Sequence, residues 1–121
     1  MKITSFYPMI VTKQADGIKD LFKELGFEIR HDVEGQTETD YKVVVMDDGQ
    51  GHRVDVAEVP TDRDSLMIRM NVDNFDEAYN LLIEKGFVNT RGDGTVGTAT
   101  SKAATMIAPS GFAISLIEHL K

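Results

Sequence analysis

Three charged side chains on predicted strands have the types and spacing to bind a polar ligand. Arg53 and Asp55 are two residues apart in one strand, and Arg69 lies in another. Because side chains alternate between the faces of a strand, Arg53 and Asp55 share a face. The arginines would bind an anionic or polar group through paired hydrogen bonds, with Asp55 orienting them or, in dry surroundings, acting as a base. The alternative interpretation is an ion pair on a solvent-washed sheet face that contributes little.

These residues lie within an internal duplication, in which residue n resembles residue n + 60. The match keeps one register without a gap, which favours a repeat over chance. The chain is therefore predicted to be a single domain, residues 1–121, with repeat units of about residues 1–60 and 61–121. The matching pairs are Asp16 and Asp76, Leu21 and Leu81, Glu24 and Glu84, Gly26 and Gly86, Phe27 and Phe87, Lys42 and Lys102, Met46 and Met106, Gly51 and Gly111, and Glu58 and Glu118.

Each copy predicts a strand, then an amphipathic helix, then further strands. Apolar residues recur at the i, i+3, i+4 and i+7 spacing of one helix face. Both helices are expected to end at a glycine, Gly26 or Gly86, because glycine best tolerates the left-handed turn after a helix. Asp73 or Asn74 is placed to cap the second helix. The apolar positions are Ile18, Leu21, Phe22 and Leu25 in the first copy and Phe75, Ala78, Tyr79 and Leu82 in the second.

The strands after each helix are joined by turn-forming segments. In the first copy, strands are predicted at residues 27–33, 41–46 and 52–59, with a tight hairpin at residues 47–51. In the second copy, strands at residues 105–107 and 112–117 flank the turn at residues 108–111. Residues 90–102 give only a weak strand signal. Two interpretations are open for them: a poorly paired strand with a surface loop, or a flexible flap over a pocket.

The composition narrows the function classes. The chain has 121 residues, 41% of them hydrophobic, a formal net charge of −7 and no cysteine. Disulfides, thiolate metal sites and a cysteine nucleophile are therefore excluded. With no basic cluster, the acidic balance argues against nucleic-acid binding. No apolar run is long enough to span a bilayer and none resembles a signal peptide, so a cytoplasmic location without membrane contact is expected.

Two motifs give the chain a resemblance to the vicinal oxygen chelate superfamily, which includes glyoxalase I, extradiol dioxygenases and bleomycin resistance proteins. Residues 19–27, ending Leu25-Gly26-Phe27, resemble the first helix of that family. Residues 108–114, beginning Ala108-Pro109-Ser110-Gly111, resemble its turn into the last strand. The resemblance implies an α+β fold of two tandem βαβββ units. These units would form an open, cupped mixed sheet with helices on the outer face and the ligand in the cup.

Metal-using members of that family hold an ion with a histidine or glutamine on each opening strand and a glutamate on each unit's last strand. Counting along this chain gives Phe6, Met67, Asp55 and Ser115 at those positions, and only Asp55 is a good ligand for a hard ion. None of His31, His52 and His119 falls at a ligand position. The expectation is therefore no metal and no cofactor.

Strand alternation then predicts which side chains line the cup. Phe6, Pro8 and Ile10 are expected in it, with Tyr7, Met9 and Val11 packed beneath the helices. Phe6 and Met67 would stack on a flat ligand, or simply fill the cup or a dimer interface. The predicted ligand-binding residues are Phe6, Arg53, Asp55, Met67, Arg69 and Ser115.

Two functions from different classes are open. The first is a metal-free binding protein of the glyoxalase/bleomycin resistance type, with a planar or amphipathic small-molecule ligand and a homodimeric state. The alternative is a lyase or dioxygenase-like enzyme of the same superfamily with an atypical or absent metal. No catalytic residue is assigned, so whether the chain is an enzyme stays open.

Overall fold

The computed structural model describes residues 1–33, 42–92, 96–98 and 101–120, with backbone alone for residues 31–33 and 96–98. These residues form two helices and nine strands. Eight of the strands follow the order that the duplication predicts, and a three-residue strand, Val96–Thr98, is additional in the second copy. The α+β class and the two tandem βαβββ units are confirmed. The helices are α1 (Ala15–Glu24) and α2 (Phe75–Glu84). The strands are β1 (Ile3–Thr12), β2 (Glu28–Val33), β3 (Lys42–Asp47), β4 (Arg53–Glu58), β5 (Ser65–Val72), β6 (Val88–Asn89), β7 (Val96–Thr98), β8 (Ser101–Ile107) and β9 (Ala113–His119).

The chain divides into two compact units whose boundary differs slightly from that of the repeat. The first unit is Tyr7–Leu66, and the second unit combines Met1–Phe6 with Met67–Lys121. Two hydrogen bonds between Lys2 and Asp73 hold the N-terminal residues in the second unit. The amide of Lys2 donates to Oδ1 of Asp73 at 2.7 Å, and the amide of Asp73 donates to the carbonyl oxygen of Lys2 at 3.0 Å. The repeat in the sequence and the compact units are therefore offset by a few residues.

In the first unit the strand order is β2-β3-β4-β1, with β1 parallel to β4 and the other pairs antiparallel. Helix α1 covers one face of these strands and forms a small apolar core with it. Burial of these side chains is the main favourable term that holds the helix to the sheet. The core residues are Ala15, Val44, Met46, Val54 and Val56, with Ile10, Ile18, Phe22 and Phe27 packed against them.

The second unit repeats this arrangement. Its strand order is β5-β9-β8-β6, β5 is parallel to β9, and β7 adds to β8 as a short antiparallel partner. Helix α2 packs on one face over a core of eight buried side chains. These are Met70, Val72, Phe75, Ala78, Ala104, Met106, Ile114 and Leu116.

The sixty-residue offset holds at the level of strand register. Met9 lies opposite Asp55 in the first unit, and Arg69 lies opposite Ser115 in the second. The bounds of α1 and α2 are also sixty residues apart. Residues related by the offset therefore occupy equivalent places in the two units, so their side chains can be compared directly.

The two helices end in the same way and begin differently. Gly26 and Gly86 follow them with φ of 102° and 94°, and the amides of Phe27 and Phe87 bond back to the carbonyls five residues earlier at 2.9 Å. This is the Schellman geometry that the glycines predict. At its start, Asn74 caps α2 through a 3.1 Å bond from the amide of Glu77.

The start of α2 carries a second acceptor. Oε1 of Glu118 accepts from the amide of Phe75 at 2.7 Å, so two of the first free amides of this helix have partners. In contrast, Gln14 at the start of α1 makes no side-chain capping bond. The choice that the sequence left between Asp73 and Asn74 is settled in favour of Asn74.

The connections follow the predicted turns. The hairpin between β3 and β4 contains Gly49 and Gly51 at positive φ, as expected. Within residues 90–102, β7 pairs with β8, while residues 93–95 and 99–100 lie outside the described residues, as does the predicted strand residue Tyr41. Among the residues described, neither helix has the length and apolarity that crossing a membrane requires.

The two helix-ending glycines form a matched pair for a stability test. Alanine at Gly26 meets nothing within 4 Å, whereas at Gly86 its Cβ would lie 3.0 Å from Cγ of Pro109. Gly26→Ala should destabilise by about 1 kcal/mol because of its left-handed backbone. Gly86→Ala adds overpacking and should cost at least about 1 kcal/mol more. Urea unfolding of both variants measures the difference, and equal losses would contradict this account.

Candidate functional site

The strands of the first unit carry a second face, opposite α1, on which polar side chains collect. The core places Val54 and Val56 of β4 and Val44 and Met46 of β3 beneath α1, so the alternate residues of each strand lie on the other face. We call this surface the polar face. Its members are Tyr7, Met9 and Val11 of β1, Arg53, Asp55 and Ala57 of β4, and Val43, Val45 and Asp47 of β3.

The predicted phase of β1 is wrong by one residue. Ile10 packs against the core beneath α1, which places Phe6 and Pro8 on the helix side and Tyr7 and Met9 on the polar face. The sixty-residue offset already pairs Met67 with Tyr7 rather than with Phe6. Phe6, predicted to bind ligand, is 61% exposed.

Arg53 is held in place by two groups on the polar face. Its Nε donates to Oδ1 of Asp55 at 3.1 Å, and its Nη2 donates to the hydroxyl oxygen of Tyr7 at 2.5 Å. The carbon at the centre of the guanidinium lies 3.7 Å from the centroid of the Tyr7 ring. The ring face attracts the cation, and the two hydrogen bonds fix its rotation. The guanidinium is therefore oriented before any ligand arrives.

Asp55 places a carboxylate in a part of this face that is not exposed to solvent. Its exposure is 0%, and its neighbours across the strands are Met9 on one side and Val45 on the other. Arg53, with a side chain 36% exposed, forms the bridge from this buried charge to solvent. The predicted association of Arg53 with Asp55 is thus present in the structure. The burial of Asp55 distinguishes it from an ion pair on a solvent-washed surface, because water screens a buried pair much less.

A second pair of arginine and carboxylate lies beside Arg53 on the strands of the first unit. Asp47 lies opposite Arg53, and its Oδ1 accepts from Nε of Arg30 at 2.8 Å. The pairing of β2 with β3 shifts register between Ile29 and His31, at Arg30. The Arg30 hydrogen bond, aided by one from the amide of Gly49, lowers the pKa of Asp47 below its ordinary value of 3.8. The sequence analysis did not identify Tyr7 or Arg30 as site residues. The sixty-residue offset, which pairs Tyr7 with Met67, was the available signal for Tyr7. No signal in the sequence indicated the bulge that places Arg30 beside Asp47.

The equivalent face of the second unit has a different chemistry. Arg69 lies opposite Ser115, with Met67 two residues before it on β5, so these three predicted site residues share one face. Arg53 and Asp47 lie opposite each other on neighbouring strands, and the equivalent cross-strand pair here is Ala113 and Ile107. The two copies therefore share the same strand arrangement, but a charged cross-strand pair in the first unit corresponds to an apolar pair in the second.

The residues at the family's metal positions do not fit a divalent ion. With the phase of β1 corrected, these positions hold a phenol at Tyr7, a carboxylate at Asp55, a thioether at Met67 and a hydroxyl at Ser115. Hard divalent ions take carboxylate and carbonyl oxygens, and the softer transition metals also take imidazole. Of these donors only the carboxylate of Asp55 is present, and it already accepts from Arg53. Across residues 1–33, 42–92, 96–98 and 101–120, no three histidine, aspartate or glutamate side chains group as metal ligands would.

Comparison with known proteins gives matches in structure. A methylmalonyl-CoA epimerase is 20% identical, with a TM-score of 0.68 over 95% of this chain and 94% of that one. A glyoxalase/bleomycin resistance protein/dioxygenase superfamily member from Vibrio splendidus is 16% identical, with a TM-score of 0.65 over 97% and 99%. A variant methylmalonyl-CoA epimerase from Streptomyces coelicolor, in complex with 2-nitronate-propionyl-CoA, is 14% identical, with a TM-score of 0.71 over 99% and 100%.

No protein-family model and no curated protein sequence matches the chain. At identities this low, similarity of structure establishes the fold alone. The predicted vicinal oxygen chelate fold is thereby confirmed.

The buried carboxylate should carry more stability than its equivalent in the second unit. Asp55→Ala removes one of the two acceptors of Arg53 and should cost about 1–3 kcal/mol of unfolding free energy. Ser115→Ala, sixty residues later, removes a half-buried hydroxyl and should cost less than about 1 kcal/mol. Chemical denaturation of the two variants provides the comparison. If Asp55→Ala lost no more unfolding free energy than Ser115→Ala, the hydrogen bond from Arg53 to Asp55 would not contribute to stability.

The pKa of Asp47 predicts a pH dependence of stability. A carboxyl whose pKa is lowered by folding stabilises the protein above its unfolded pKa, and this contribution is lost as pH falls through the folded value. Asp47→Asn should therefore melt below wild type at pH 7, and the gap should narrow as pH falls below 3.8. Melting temperatures between pH 7 and pH 2.5 test this. Arg30→Gln should reproduce the pattern, and a gap independent of pH in both variants would refute it.

Proposed function

We propose that this chain, which has the vicinal oxygen chelate fold, is a metal-free small-molecule-binding protein whose ligand contacts the polar face. The observation that carries the proposal is the fixed guanidinium of Arg53. A protein that only needed a stable sheet would gain little from burying Asp55 beneath a half-exposed cation, since buried ion pairs are weak sources of stability. An oriented cation beside apolar side chains is the common composition of a ligand site.

The proposed absence of a metal rests on donor chemistry. Tyr7, Met67 and Ser115 offer poor ligands for a hard ion, and Asp55 is committed to Arg53. The ligand would therefore be recognised by hydrogen bonding and apolar contact. Met67, Arg69 and Ser115 on the second unit are proposed as further ligand contacts, because they share one face.

Small-molecule binding on this fold has a precedent among the structural neighbours. The Streptomyces coelicolor epimerase variants are in complex with 2-nitronate-propionyl-CoA. For the present chain we propose a planar or amphipathic ligand, a homodimer and a cytoplasmic location. The homodimer is checked by light scattering coupled to size-exclusion chromatography.

One observation favours a second candidate, an enzyme that uses no metal. Asp55 is a carboxylate of 0% exposure on the polar face that also carries the phenol of Tyr7, and such groups remove and return protons in many enzymes. An epimerase acting on a methylmalonyl thioester needs this chemistry at C2. If the chain is such an enzyme, it should exchange the C2 proton of methylmalonyl-CoA with D2O, and Asp55→Asn should abolish the exchange.

The test of the binding proposal begins with protein purified without chelators. Its metal content is measured, and it is then dialysed against zinc, nickel, manganese and iron separately. We expect no stoichiometric ion and no thermal stabilisation by any of the four. We also expect stabilisation by members of a panel of planar amphipathic compounds, because binding to the folded state alone raises the melting temperature.

Arg53→Gln provides the matched variant for the same panel. Its glutamine keeps hydrogen-bonding capacity but has no charge. The increases in melting temperature that the compounds cause should therefore fall severalfold. One bound ion per chain that raises the melting temperature would overturn the metal-free proposal. Stabilisation by no compound, together with C2 exchange that depends on Asp55, would favour the enzyme.

A further inference from the structure

The donors left on Arg53 define what its partner must supply. A guanidinium has five N–H groups, and the bonds to Asp55 and Tyr7 use one on Nε and one on Nη2. Within the described residues, no protein oxygen accepts from Nη1. The side chain is 36% exposed, so these remaining donors are within reach of a ligand. Their best partner is an anionic oxygen, because charge-assisted hydrogen bonds are about twice as strong as neutral ones.

The charges around Arg53 limit how much negative charge the ligand can carry. Among the described residues, Arg30 and Arg53 form ion pairs with Glu28, Asp47 and Asp55, so these pairs place three carboxylates beside two guanidiniums. The chain as a whole has a formal net charge of −7. A phosphate dianion would meet this surplus of negative charge, whereas a single carboxylate is repelled less and still satisfies the donors of Nη1.

Besides Tyr7 and Asp47, the other side chains of the polar face near Arg53 and Asp55 are apolar. Met9 and Val45 flank Asp55, and Val11 and Val43 flank Ala57 two residues further along the strands. Two residues of strand span about 7 Å, which is the length of an aromatic ring with its substituent. Val11, Val43 and Val45 are partly exposed, so they can contact a ligand without rearrangement of the core.

Together these features lead us to infer that the ligand is a monocarboxylate with an aromatic or branched apolar body. Its carboxylate accepts from Arg53, and its body lies against the partly exposed Val43 and Val45 of β3 and Val11 of β1. This inference rests on the proposed function and names the ligand class that the same site takes.

Tyr7 is the positioning residue in this arrangement. Its ring lies beneath the guanidinium and its hydroxyl accepts from Nη2, so it sets the direction in which Nη1 points. Asp55 fixes the opposite edge through Nε. Loss of the Tyr7 hydroxyl should leave the ring contact in place and free the guanidinium to rotate. The selectivity for a carboxylate should fall more than the affinity for the apolar body.

The experiment uses two probes of the same shape and different charge, 2-naphthoate and 2-naphthamide. Isothermal titration calorimetry at pH 7 and low ionic strength gives the dissociation constant of each for the full chain. The naphthoate should bind about tenfold more tightly or better, as one charge-assisted hydrogen bond allows. Raising the salt concentration should narrow this preference, since screening weakens the attraction between charges near the surface.

Three variants separate the inference from simpler explanations. Arg53→Gln should abolish the preference for naphthoate, and Tyr7→Phe should reduce it severalfold while changing naphthamide binding little. Arg63→Gln, which removes the same charge from an exposed loop, should leave it unchanged. Circular dichroism confirms that each variant is folded.

The outcomes distinguish this inference from the proposed function. Equal affinities for the two probes, or a preference that survives Arg53→Gln, would overturn the carboxylate inference and leave small-molecule binding standing. Failure of both probes to bind would overturn the carboxylate inference, and failure of the whole panel of planar compounds as well would overturn the proposed function.

Discussion

In the part of the chain that the structure describes, each unit has one helix, and that helix can cover only one face of its strands. Because strand side chains alternate, packing α1 on Val44, Met46, Val54 and Val56 sends every second residue of β3 and β4 to the other face. That face is not covered by the unit's own helix, so its chemistry can change without loss of the core. The separation of core from polar face is the constraint on which the rest of the structure depends.

The duplication shows how far the two faces have diverged under this constraint. Two fully buried pairs stay apolar in both units: Met46 and Met106 have 0% exposure, and so do Val56 and Leu116. On the opposite faces, Arg53 corresponds to Ala113 and Asp47 to Ile107. The helix-covered core keeps uncharged side chains, since a buried charge without a partner would be costly. The opposite faces have accepted changes of charge.

The polar groups of the first unit form an ordered chain rather than a scatter of surface charges. Arg30 bonds to Asp47, which lies opposite Arg53, and Arg53 bonds to Asp55 and Tyr7. The bulge at Arg30 allows the first of these contacts. Buried Asp55 anchors the far end, where low exposure strengthens each electrostatic interaction. The physical result is a cation with a fixed orientation beside an apolar surface.

By itself the sequence determined the repeat, both helices with their terminal glycines, the turns and the association of Arg53 with Asp55. These depend on local spacing, which the chain carries in full. Only the tertiary structure decided the bulge at Arg30 and the burial of Asp55. It also decided the phase of β1, for which the sixty-residue offset was the one signal in the sequence. Residues 6–11 are apolar on both faces, so no alternation fixes which side meets the helix. The helix contact of Ile10 fixes it, and thereby brings Tyr7 rather than Phe6 to Arg53.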